Sequence, residues 1–127
     1  MVKTVAYWIA TGLIAFFALS GGVAELMHVP AAGMRILGYP DYVMSILGFW
    51  KIVGTIVLLA PGLVRAKEWA YAGFFIDFTG AAASHAAAGD FGAAGFHLIT
   101  TVVLALLTVA SWALRPQSRT LGVLFSA

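Results

Sequence analysis

There is no cysteine among the 127 residues, and only 9% of them are charged. The first absence excludes disulfides, thiolate metal sites and electron transfer through a protein dithiol, so any redox chemistry needs a cofactor. The second excludes an ordinary soluble domain, where about 25% of residues carry charge. Seven Lys and Arg stand against five Asp and Glu, and the basic residues lie scattered, mostly at segment ends. A sequence pI near 9.2 therefore does not describe a nucleic-acid footprint, which needs basic side chains gathered on one face. Glycine-rich phosphate loops, nucleophilic triads and zinc motifs are missing as well. What is present is apolar: 62% hydrophobic residues and a mean hydropathy of +0.99. At roughly 20 residues per membrane-crossing helix, the chain has room for about four spans and their connections.

The expected fold is an all-α integral membrane four-helix bundle forming a single domain, with spans over 4–24, 42–60, 68–87 and 91–114. The first run is read as a retained transmembrane helix rather than a signal segment cleaved near Gly22-Val23-Ala24. Residues 25–41 are too polar and too rich in Pro and Gly to span, and predict a loop with a short interfacial helix over 31–37. Pro61-Gly62 stops the second span, Glu68 opens the third at the positive end of its dipole, Gly89-Asp90 closes it, and Arg115-Pro116 ends the fourth. Lys3, Arg65, Lys67, Arg115 and Arg119 then share one side against Arg35 on the other, which predicts that both termini are cytoplasmic in a bacterial inner membrane. Tyr7, Trp8, Trp69, Tyr71 and Trp112 are expected as an inner interfacial belt, with Tyr39 and Tyr42 at the outer face. Small residues recur every fourth position at Gly80, Ser84, Ala88 and Gly92, and at Gly73 and Ala81, so the third span is expected to be central and tightly packed.

Two charges stand in the middle of apolar segments. Lys51 and Asp77 each lie nine residues from the end of their span, about 14 Å at ~1.5 Å per residue, so antiparallel neighbours would bring them together. A buried ion pair that locks helix register and a pair that transfers protons or anchors a ligand are both consistent with that placement. Nearer the outer face, His85, His97, Glu25, His28 and Ser84 fall at similar depths and would form a polar pocket above the pair. Glu25-x-x-His28 has the spacing of carboxylate-bridged metal helices, but the motif occurs once, so no metal site is expected. Trp50, with Phe49, Phe74, Phe75 and Phe78, would wall a flat apolar ligand or simply pack.

Leu37-Gly38-Tyr39-Pro40, Gly48-Phe49-Trp50-Lys51, Glu68-Trp69-Ala70-Tyr71-Ala72-Gly73 and Gly80-Ala81-Ala82-Ala83-Ser84-His85 with Gly89-Asp90 resemble, in order and spacing, the DoxX-like family of small bacterial membrane proteins. The resemblance implies four transmembrane helices and a bundle related in shape to quinone-linked membrane proteins, and it marks Lys51, Ser84, His85 and Asp90 as site positions. Dithiol chemistry, used by more distant relatives, cannot transfer to a chain without cysteine. The expectation drawn from residues and resemblance together is an outward-facing pocket for a small amphipathic, quinone-like molecule, with Lys51 and Asp77 as proton-transfer candidates. Trp50, Ser84, His85, His97, Glu25 and His28 are its expected ligand contacts. The alternative is a non-catalytic assembly subunit of a larger membrane complex.

Overall fold

The computed structural model describes residues 1–29 and 31–120. Five α-helices follow one another: α1 (Val2–Leu26), α2 (Ala31–Ile36), α3 (Tyr42–Leu59), α4 (Val64–Ala88) and α5 (Phe96–Ala113), with short 3-10 turns at Ala93–Gly95 and Gln117–Arg119. No strand occurs among the described residues. Among the described residues, three segments are long and apolar enough to cross a membrane: Val2–Leu26, Tyr42–Leu59 and Ala93–Ala113. The fourth long helix, α4, contains Arg65, Lys67, Glu68 and Asp77, and these charges lower its hydropathy.

The long helices run antiparallel in sequence order and close into a ring. Gly54 meets Phe74 across α3 and α4, Tyr71 meets Ser111 across α4 and α5, and Thr11 meets Ser111 across α1 and α5. Ile14, Ala18, Leu58, Tyr71, Phe74, Phe78, Leu104 and Ala105 fill the shared core. Helix breaks follow local chemistry. Ala60 turns extended before Pro61, Gly62 and Leu63 take positive φ, and α4 starts at Val64, a turn ahead of Glu68. Glu68 is therefore not the opening residue; its carboxylate instead pairs with Arg115 of the segment after α5.

Two expectations change. Tyr7 and Tyr71 do not join the interfacial belt with the exposed Trp8, Trp69 and Trp112; both are buried. Tyr71 Oη lies 2.8 Å from Ser111 Oγ, which lies 2.7 Å from Thr11 Oγ1, because hydroxyls facing an apolar core need partners there. Nor do the small residues of α4 mark the tightest packing. A Cβ on Gly73 or Gly80 would meet nothing within 4 Å, whereas one on Gly48 would lie 2.6 Å from Gly22 O. Close backbone approach belongs to α1 and α3, and the bareness of Gly73 leaves open space instead.

Candidate functional site

The Gly22–Gly48 contact sets the site. With no side chain at either position the two backbones touch, and Glu25 and Lys51, one turn further along their helices, are drawn into the same layer. Lys51 Nζ donates to Glu25 Oε1 at 2.7 Å and lies 3.6 Å from Asp77 Oδ2. One ammonium thus faces two carboxyl groups from two helices, all three largely withdrawn from the surface at 16–17% side-chain exposure. Glu25 Oε2 is buried and has no hydrogen-bond partner. Counting depth from sequence brought Lys51 and Asp77 to one level but left Glu25 near His28. The signal for Glu25 was the glycine three residues before it and the one three before Lys51, which matter only once α1 and α3 are known to cross there.

A cavity of about 490 Å³ opens between α3 and α4. Its lining is apolar except for Lys51 and Asp77, and includes Trp50, Trp69, Gly73, Phe74 and Ile76. Trp50, Trp69 and Ile76 are exposed at the bundle surface, so the opening faces sideways, toward whatever surrounds the helices. Its size lies within the roughly 300–1,000 Å³ of small-molecule sites. Of the expected aromatic wall, Trp50 and Phe74 line the cavity; Phe78 stacks on Phe74 toward the core, and Phe49 is exposed.

The remaining expected residues gather elsewhere. His28 Nε2 lies 2.8 Å from Ser45 Oγ, tying the end of α1 to the start of α3. Ser84 Oγ lies 2.6 Å from Tyr39 Oη, tying α4 to the segment after α2. His85 and His97, their ring centres 4.9 Å apart, flank Asp90, and neither lines the cavity. Three separate groups therefore stand where sequence placed one pocket: an ion triad whose Lys51 and Asp77 reach the cavity wall, a hydroxyl and imidazole pair of ties, and a His–Asp–His cluster where α4 turns into α5.

A family model described as the DoxX-like family matches residues 9–111. The chain belongs to the DoxX-like family. The match reaches into all four long helices of this DoxX-like protein and takes in the residues of every group above, and with its apolar helices it makes the chain a helical membrane protein. No curated protein and no solved structure matches it. Sequence reasoning missed the basic end of this DoxX-like bundle. Lys67, fully buried, donates from Nζ to Val57 O at 2.6 Å and to Ala60 O. Arg119 Nη1 donates to Leu58 O at 3.0 Å, and its guanidinium lies 4.8 Å from the Trp8 ring centre. Both cations satisfy carbonyls that the end of a helix leaves without partners.

Proposed function

We propose that the protein crosses the bacterial inner membrane four times, with both termini cytoplasmic, and holds a small amphipathic, quinone-like molecule in the lateral groove between α3 and α4. The observation that carries this reading is the combination of an apolar cavity open to the side with one charged pair, Lys51 and Asp77, on its wall. A lipid-dissolved molecule enters such a groove without crossing water. Its apolar body lies along Trp50, Trp69, Gly73 and Ile76, and its carbonyl accepts a hydrogen bond from Lys51. His85 and His97 lie beside Asp90, outside the lining of the groove.

The triad also supports a role in proton handling. With every group ionised, Glu25, Lys51 and Asp77 carry a net charge of −1 in a region of low dielectric, which is costly; one proton shared among the carboxyls makes the cluster neutral. A ligand carbonyl beside Lys51 is then within one relay of that proton. The test is quenching of tryptophan fluorescence by a short-chain benzoquinone, with the full chain in lipid nanodiscs. Gly73→Leu fills the groove without a clash, since a Cβ there meets nothing within 4 Å. It is expected to weaken binding at least tenfold while the helical circular dichroism is unchanged. Equal affinity in the parent, Gly73→Leu and Lys51→Met proteins would reject the groove as the site.

A further inference from the structure

The connection from α4 to α5 is built around three side chains. Gly89, Gly92 and Gly95 take φ of 69°, 72° and 75°, a region glycine enters without steric cost, so the chain reverses within a few residues. His85 from the last turn of α4, Asp90 just beyond it and His97 from the first turn of α5 are thereby brought together. Backbone bonds hold both flanks: Asp90 N–H donates to His85 O, and His97 N–H to Phe91 O, each at 2.9 Å. A Cβ on Gly92 would lie 3.0 Å from the His97 ring, so the loop closes on that imidazole only because glycine is there.

The geometry is that of ligands around a shared centre. Asp90 Oδ2 lies 3.2 Å from His85 Nδ1, with which it shares a hydrogen bond, Asp90 Oδ1 lies 3.2 Å from His97 Nδ1, and one donor atom from each residue falls within 4.8 Å of the others. Bonds of about 2.0–2.1 Å to a tetrahedral ion place neighbouring donors about 3.3 Å apart. A second observation points the same way. His97 Nδ1 is shielded from solvent and makes no hydrogen bond, although the carboxylate is beside it; its direction does not suit an N–H donor to Asp90. We propose that His85, Asp90 and His97 bind a first-row divalent metal ion through two imidazoles and one carboxylate, leaving coordination positions open. That donor set suits zinc and its neighbours rather than calcium or magnesium. The bound ion fastens the end of α4 to the start of α5.

The experiment is a zinc titration of the chelator-treated full chain in detergent, followed by calorimetry, with cobalt as an optical probe. One ion per chain is expected, at least tenfold weaker in His97→Ala and in Asp90→Asn, and unchanged in His28→Ala, whose imidazole belongs to a different group. The parent protein with cobalt is expected to show visible d–d absorption that zinc displaces, a readout independent of how well any variant folds. Absence of that absorption, or zinc affinity equal in the parent and in well-folded His97→Ala and Asp90→Asn proteins, would overturn the assignment. The variants leave the groove untouched, so their benzoquinone affinity reports separately on the site between α3 and α4.

Discussion

At Gly48 a single hydrogen in place of a methyl decides how α1 meets α3. In Gly48→Ala the new carbon would lie 2.6 Å from Gly22 O and 3.0 Å from Leu26 N, both backbone atoms that cannot turn aside. The helices must separate, and a loss of about 1–3 kcal/mol is expected from such overpacking, measured by chemical unfolding in detergent. Gly12→Ala, where a Cβ meets nothing within 4 Å, is the matched control and is expected to lose nothing. The same crossing governs the charges. Had Lys51 only Asp77 for a partner, removing both would leave no charge behind; because Lys51 Nζ is closer to Glu25, Lys51→Met with Asp77→Leu strands a buried carboxyl. Adding Glu25→Gln to that double variant is expected to recover about 3 kcal/mol, the scale of an uncompensated buried charge. Equal stability of the double and triple variants would show that Glu25 stands apart from the cluster. Depth along a helix was legible in the sequence, which is why Lys51 and Asp77 could be matched; azimuth across a helix pair was not, which is why Glu25 was placed with His28.

At the scale of the helix, ends were more legible than faces. Proline and glycine act locally, so Pro61-Gly62 and Gly89 mark the end of α3 and of α4 from sequence alone. The side chains that satisfy an end come from far away and are silent until the fold is formed. Lys67 and Arg119 reach the last carbonyls of α3, where Pro61 leaves no further helix to do so. Lys67→Met orphans the carbonyl of Val57 and leaves that of Ala60 to Arg119 alone, and is expected to cost about 1–3 kcal/mol, seen as a lowered unfolding midpoint and faster proteolysis in the turn between α3 and α4. An exposed tie holds the opposite end: Arg35 Nη2 donates to Asp41 Oδ2 at 2.9 Å, and that hydrogen bond holds the Asp41 carboxyl below its ordinary range. A lowered carboxylate stabilises the fold above its unfolded titration point and loses that contribution as pH falls through the folded one. Arg35→Gln is expected to move the Asp41 titration, followed by carboxyl carbon chemical shift, back up to the ordinary range.

Across the whole molecule, the question is whether α4 crosses the membrane, since its composition alone does not separate a span from a helix lying at the surface. Its 25 residues extend about 37 Å at ~1.5 Å per residue, longer than the roughly 30 Å hydrocarbon core. Arg65, Lys67 and Glu68 fall in its first two turns, where Lys67 meets Ala60 and Val57 and Glu68 meets Arg115, at the same end of the bundle as Trp8 and Trp112. Only Asp77 lies at depth, and it faces Lys51. A surface helix would expose Phe74 and Phe78, yet both are buried in the core shared with α1 and α5. Four crossings place the two ends of the sequence on one face, the side that retains Lys and Arg; three crossings place them on opposite faces. Fusions of a cytoplasm-active fluorescent protein to each end, and of a periplasm-active phosphatase within the loop after Gly89, are all expected to report activity. A dark C-terminal fluorescent fusion beside a bright N-terminal one would remove α4 from the membrane, and with it the sideways entry on which the groove between α3 and α4 depends.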